Sequence, residues 1–426
     1  MRNFGNTGPQ PKSPTEAIQG FTTTLGSYYK YTPEQAAWIR KNVKNLLFSR
    51  SSDNAFRESF VNASRGRKNK QEVGLYINFV SITQSERDKN NWEDYIAKKN
   101  DGTPITIGTG EGGIGLNQTE YLATFWNTDW LDVRLGTVPD YDDKYRLAKT
   151  NLTYIFLDLC NLYPIPLLAG DPPISQPSIW KQNMLNAINY YRNKITPRLR
   201  ILPNCVRQHV GVAGYVQDPA TFYQFDGGEA IGKGFGNAGL MEVTMKWDAE
   251  SPEVQKLYAS LRTLRRLNKE GKPTYSTWKY TESDKQWRIN GLAAFGLVYT
   301  PGLTQYKTAT GTFAANPPDA YPENNVDFGA PVSNSAGNIH PVFEQERGTV
   351  NEVITREFAN GTAVIFNSTF SEQPVPAPYN SWRVVSPNED ITIPDSGEYD
   401  GALITTAMPV NPTIPTWSGM IVKKPA

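Results

Sequence analysis

Histidine and cysteine are nearly absent from this chain, with two of each among 426 residues. His209 and His340 cannot make a multi-histidine metal centre. Cys160 and Cys205 follow apolar or strand-like runs, so they read as buried free thiols, not as a disulfide framework, and no zinc spacing exists. An excess of charge is also missing. Forty-three basic residues face 42 acidic ones, for a net charge of +1, so no global field draws nucleic acid or an anionic membrane. No apolar run approaches the length of a membrane span. Met1–Lys12 is polar and lacks an apolar h-region, so neither a signal peptide nor a transmembrane segment is expected, and localisation stays open. No Gly-x-Gly-x-x-Gly follows the first strand, and the glycine-rich run Gly227–Gly239 precedes a strand instead of opening a helix. No metal and no organic cofactor is therefore expected.

Aromatic residues are plentiful. They make up 12% of the chain, with 10 Trp and 22 Tyr, while charged residues reach only 20%. Such faces stack on the apolar faces of sugar rings as readily as they fill cores. The stretch that organises the chain is Thr153–Asn161, where an unalternating apolar run ends in Asp158. That pattern fits a strand covered on both faces, as in a parallel sheet. An acid at its carboxyl end lies where barrel enzymes gather their chemistry, although a polar residue can also simply end a strand.

Taken in order, residues 1–31 read as an arm or linker punctuated by Gly, Pro and Thr. Pro33–Asn45 predicts a short helix capped by Thr32. Leu46–Phe48 is a brief buried run, Asp53–Ser64 a helix, and Glu72–Val80 a strand. Residues 83–128 form a long polar excursion, the length of a binding loop or lid. Leu131–Leu135 reads as a short strand with Trp130 and Asp132 at its start, and Asp140–Asn151 as a helix. Ser178–Lys194 is an amphipathic helix through Ile179, Met184, Ile188 and Tyr191. Arg198–Val206 is a strand, and Phe235–Thr244 contains another, with Glu242 inside it. Pro252–Lys269 is a helix whose Arg262, Arg265, Arg266 and Lys269 suggest a solvated basic face. Pro273–Tyr280 is a strand carrying Trp278, Trp287–Tyr299 a helix, and Leu303–Lys307 the last strand.

Roughly eight such strand–helix units predict an α/β (β/α)8 TIM-like barrel over residues 32–308, with a doubly wound sheet as the alternative. Residues 309–347 are a linker or a wrapping loop. Residues 348–426 read as a small all-β sandwich, opened by a hairpin of Val353–Phe358 and Thr362–Asn367 through Asn360-Gly361, where both turn positions tolerate positive φ. Trp382–Val385, Ile391–Ile393, Ala402–Thr405 and Ser418–Val422 complete it.

Three stretches resemble the TIM-barrel glycoside hydrolases of the α-galactosidase-like and polygalactosaminidase-like assemblage. They are Tyr154–Asn161, Ala238–Val243, and the Arg-x-Phe-x-Asn-Gly hairpin within Ile354–Asn367. The resemblance implies Asp158 and Glu242 as facing carboxylates, Asp158 the nucleophile or base and Glu242 the acid. Such a pair protonates the leaving oxygen on one side and attacks, or activates water, on the other. Separations of about 5–5.5 Å give retention and about 6.5–9.5 Å inversion.

Bland readings stand beside each role. Glu242 could pair with Lys246, and Asp226 and Glu229 in the glycine-rich loop compete as acids or substrate ligands. Asn78 and Asn204 could bind hydroxyls or act as structural amides. Trp278 and Trp130 could be sugar platforms or core residues, and His209 is given no role. The expected partner is a carbohydrate, with neither nucleic acid nor membrane, and with self-assembly through the N-terminal arm. The alternative function is a non-catalytic glycan-binding or structural protein of a virion tail or cell surface, built on a degenerate barrel.

Overall fold

The structure, a computed structural model, describes residues 21–24, 33–34, 45–48, 72–109, 119–136, 154–158, 174, 176–195, 200–203, 240–244, 253–269, 274–280, 285–310, 319–320, 326, 328–332, 339–345, 349–387, 391–392 and 403–425. In chain order its strands begin with β1 (Phe21–Thr24), β2 (Asn45–Phe48), β3 (Glu72–Asn78), β4 (Ser81–Thr83), β5 (Thr106–Thr109) and β6 (Thr119–Leu122). They continue with β7 (Tyr154–Asp158), β8 (Arg200–Pro203), β9 (Leu240–Thr244), β10 (Thr274–Tyr280) and β11 (Thr304–Thr310). Helices α1 (Gln84–Asn90), α2 (Thr128–Gly136), α3 (Pro177–Ile195), α4 (Glu253–Lys269) and α5 (Lys285–Gly296) lie among them. The helices expected at Asp53–Ser64 and Asp140–Asn151 lie outside the described residues. Of the helix expected over Pro33–Asn45, Pro33 and Glu34 are described, and both are helical.

Two parallel sheets form the frame. One has the order β1-β2-β3-β7-β8 and the other β11-β10-β9. Helix α3 crosses from β7 to β8, α4 from β9 to β10, and α5 from β10 to β11. Cα atoms of β1 and β11 approach within 8 Å, which brings the two sheets side by side. Among the described residues no pairing joins β8 to β9, and the described parallel strands form two sheets. Ile155, Phe156 and Leu157 are all buried, so β7 is covered on both faces, the cause of its unalternating apolar run.

Three expectations need correction. Four residues of the presumed N-terminal arm form β1, because Phe21-Thr22-Thr23-Thr24 is β-prone and pairs in parallel with β2. The presumed strand Leu131–Leu135 is part of helix α2. Leu131, Val133 and Leu135 alternate as in a strand, but the side chain of Asn127 accepts from Asp129 N at 2.9 Å and starts a helix. That helix buries Trp130, Leu131, Arg134 and Leu135 on one face. The presumed loop 83–128 is folded where it is described. Thr83 and Glu86 close a capping box on α1, and β4-β6-β5 form an antiparallel sheet. Its apolar residues are sparse in sequence, yet Ile96, Ala97, Ile105, Leu122, Ala123 and Phe125 converge into one core.

Helix α3 turns Trp180, Met184, Ala187, Ile188 and Tyr191 inward; Ile179, expected on the buried stripe, is 36% exposed instead. The basic residues of α4 do not make a free solvated face. Arg262 is buried and its Nε donates to Val342 O at 2.8 Å, while Arg265 and Lys269 both hold Glu344.

Beyond β11 come β12 (Asp319–Ala320), β13 (Val353–Glu357), β14 (Thr362–Asn367), β15 (Gln373–Pro374), β16 (Arg383–Val385), β17 (Ile391–Thr392), β18 (Thr405–Ala407), β19 (Thr413–Ile414) and β20 (Ser418–Lys423). Among the described residues the order β13-β14-β20-β16-β18 makes one antiparallel sheet, and β15-β19 and β12-β17 are two-stranded ribbons. The hairpin forms as expected, with a different turn. Phe358 N donates to Thr362 O, and positive φ occurs at Gly361 (75°) but not at Asn360, whose side chain accepts from Thr362 N.

Alternate residues of β14 feed two cores. Val364 and Phe366 join Leu292, Ala293, Phe295 and Leu257 of α5 and α4, while Ala363 and Ile365 pack with Val375, Tyr379, Trp382 and Ile414. Where β20 has lost its second neighbour, α5 takes over the backbone: Asn290 Oδ1 accepts from Gly419 N at 3.0 Å, and Gln286 Nε2 donates to Gly419 O at 3.3 Å. Buried Arg356 donates to Gly296 O at 2.9 Å, and burial pushes its guanidinium down to about 9.

Candidate functional site

The carboxyl ends of β3 and β7 meet in register, Asn78 opposite Asp158. Leu157 of β7 is likewise opposite Pro203 of β8, so these three strands finish at a common rim. Asp158 is the last residue of its strand. Glu242 is the third of five residues in β9, opposite Thr277, and Trp278 follows one position later opposite Val243. The two acids thus lie on separate parallel sheets, one at a strand end and the other two residues short of one. Asn204 and Glu229 lie outside the described residues, as do Asp226, His209, Lys246, Cys160 and Cys205.

Asn78 is a structural amide. Its Oδ1 accepts from Val80 N and Ser81 N, both at 3.1 Å, and its Nδ2 donates to Ser81 Oγ at 2.7 Å. Three of its four side-chain hydrogen-bonding valences turn back on the chain that leaves the rim, the local hydrogen bonding Asn favours at turns. These are the contacts of a structural amide, the reading that stood beside its substrate-binding role.

Trp130 is likewise no sugar platform. It is fully buried, its Nε1 donates to Phe79 O at 2.7 Å, and Trp92 meets it edge-on at 5.3 Å. A buried indole has no free face for a sugar ring.

The residue at this rim that sequence reasoning passed over is Arg134. Its Nε donates to Asn78 O at 2.6 Å, its Nη1 pairs with Glu86 Oε1 at 3.0 Å, and its guanidinium lies about the rings of Trp92 and Trp130 at 5.6 and 5.5 Å. One buried cation therefore ties the end of β3, helix α1 and helix α2 together. The signal was present as an arginine inside the apolar run Leu-Asp-Val-Arg-Leu, a place where a cation is stable only with partners.

The insertion between β3 and β7, described over residues 79–109 and 119–136, joins the rim at further points. Ala123 N donates to Val80 O at 2.8 Å. The rings of Phe79, Phe125, Trp180 and Tyr191 interlock, with Phe125 4.8 Å from Trp180 and Phe79 5.4 Å from Tyr191. Tyr191 OH donates to Leu131 O at 3.2 Å, and Lys194 pairs with Asp132 at 3.1 Å. Hydrogen bonds that Lys194 donates to Tyr190 and then to Asp132 hold its ammonium above the ordinary lysine range. Helix α3, the insertion and the ends of β3 and β7 are one packed body. Among the described residues, no helix is long and apolar enough to cross a membrane.

No family profile matches the chain, and no curated protein sequence does. Among solved structures the chain is similar to a noncanonic maltogenic alpha-amylase from Thermotoga neapolitana, at 9% identity and a TM-score of 0.40 over 96% of each chain. It is similar to an alpha-amylase from Lactobacillus plantarum at 8% identity and a TM-score of 0.41, over 97% of this chain and 99% of that one. An alpha-galactosidase from Thermus thermophilus matches at 11% identity and a TM-score of 0.34, over 61% of this chain and 57% of that one. Identities and TM-scores this low carry neither a fold nor an activity across to this chain.

Proposed function

We propose that the chain is a glycoside hydrolase acting on an oligo- or polysaccharide, with its parallel strands closing into a (β/α)8 barrel. Asp158 serves as nucleophile or base and Glu242 as general acid. The observation that carries the reading is Asp158, the last residue of a fully covered parallel strand, at a rim it shares with the ends of β3 and β8. Carboxyl ends of parallel strands are where barrel enzymes hold their reactive groups. The three stretches that resemble glycoside hydrolases, two of which hold the acids, supply the substrate class.

In the proposed reaction Glu242 gives its proton to the glycosidic oxygen as the bond to the anomeric carbon breaks. Asp158 attacks that carbon directly or takes a proton from the water that does. The two pKa values must be driven apart for this, by burial of the acid and hydrogen bonding of the base. Asp158→Asn and Glu242→Gln are each expected to abolish reducing-sugar release from a polysaccharide panel while the melting temperature stays near wild type. Undiminished release by either variant removes that residue from the mechanism.

A second reading is glycan binding without cleavage. One observation favours it: the insertion is tied to the end of β3 by Arg134, Trp130 and Ala123, so packed protein covers that strand end. Wild-type protein that retains a polysaccharide without releasing reducing ends decides for this reading.

A further inference from the structure

We propose that Trp126 is a sugar-stacking platform at the rim, engaging units of a glycan chain remote from the bond that is cut. The inference rests on the glycoside-hydrolase reading and adds a subsite to it.

Among the aromatic residues at this rim, Phe79, Trp92, Phe125, Trp130, Trp180 and Tyr191 are buried, Tyr95 and Tyr190 are half-buried, and Trp126 is 37% exposed. Its backbone is held on both sides. Phe125 N donates to Ala123 O at 2.8 Å, Asn127 N to Thr124 O at 2.7 Å, and Leu131 N to Asn127 O at 3.1 Å as α2 begins. Its ring meets Phe125 edge-on at 5.2 Å, and Phe125 is wedged against Trp180 at 4.8 Å and Phe79 at 6.4 Å. Phe79 directly follows Asn78, the register partner of Asp158. The exposed indole is therefore fixed to the same rim as the proposed nucleophile, but carried on the insertion.

An indole face on a rigid backbone suits the apolar face of a pyranose, since little conformational freedom is lost on stacking. Removed from the carboxylates, such a platform strengthens binding of long chains and leaves short ones unaffected.

The test measures dissociation constants of the full chain by calorimetry and intrinsic fluorescence, using linear hexasaccharides of glucose, galactose and xylose with their disaccharides. Wild-type protein is expected to bind one of the hexasaccharides more tightly than its disaccharide. Trp126→Ala should weaken that hexasaccharide about tenfold and leave the disaccharide within about twofold, while Trp126→Phe restores most of the loss. Melting temperatures of both variants should match wild type. Equal hexasaccharide affinity in Trp126→Ala, an equal loss for the disaccharide, or no binding by wild type overturns the platform. If Asp158→Asn stops hydrolysis while Trp126→Ala binds normally, the platform alone fails. If Trp126→Ala loses the hexasaccharide while wild type cuts nothing, the cleavage reading alone fails.

Discussion

Gly419 marks a close approach of a helix and a sheet in the described core. A Cβ at this position would lie 2.5 Å from Ala293 Cβ and 3.1 Å from the ring of Phe366. Gly296 does the same from the helix side, 2.7 Å from Val364 Cγ1. These glycines let β20 and α5 lie near enough for Asn290 to reach the Gly419 backbone. Overpacking a site of this kind costs about 1–3 kcal/mol. Gly419→Ala is therefore expected to lower the urea midpoint, and Ala293→Gly in the same chain should recover part of the loss. A midpoint unchanged by Gly419→Ala would mean that the helix moves away without cost.

At the scale of elements, the single turn Pro341–Glu344 clamps α4. His340 caps it by accepting from Val342 N at 3.2 Å, Val342 and Phe343 are buried, and Phe343 stacks on Tyr258 at 5.6 Å. Glu344 closes the clamp on Arg265 and Lys269. Partial burial pushes its carboxyl upward, but hydrogen bonds and charge from Lys269 and Arg265 outweigh it and hold the group below the ordinary glutamate value. A lowered carboxylate value stabilises the fold above the ordinary range, and that stabilisation is lost as pH falls through the lowered value. Glu344→Gln should thus melt below wild type at neutral pH, and the two melting temperatures should converge in acid. A gap that persists at low pH would assign the loss to packing instead of charge. The basic residues on α4 were visible in the sequence, but their partner was not, since Glu344 lies about 80 residues downstream.

At the scale of the whole molecule, one core crosses the boundary expected near residue 348. Leu257, Leu261 and Leu264 of α4, Ile289 to Phe295 of α5, and Ile354, Val364, Phe366 and Ile421 of the antiparallel sheet belong to the same cluster. Truncation after residue 348 would expose the inner face of α5, and burial of one large apolar side chain alone is worth about 1.5–3 kcal/mol. The truncated chain is expected to be insoluble, and the full chain to unfold α4, α5 and the sheet together. A soluble fragment 1–348 with native helical content would show that the parallel frame stands alone.

Local pattern alone determined much of this protein. The apolar run into Asp158 predicted a strand covered on both faces, Ile289, Leu292, Ala293 and Phe295 predicted a packed helix, and Asn360-Gly361 predicted a hairpin. Each signal lies within a few residues of the structure it specifies. Tertiary structure decided what depends on partners distant in sequence. It turned Leu131–Leu135 into a helix because Arg134 could bury its charge against Asn78, Glu86 and two indoles. It committed the Asn78 side chain to a turn, and it buried Trp130 while leaving Trp126 in solvent. Periodicity reports which residues can be buried; only the neighbours brought in by folding determine which ones are.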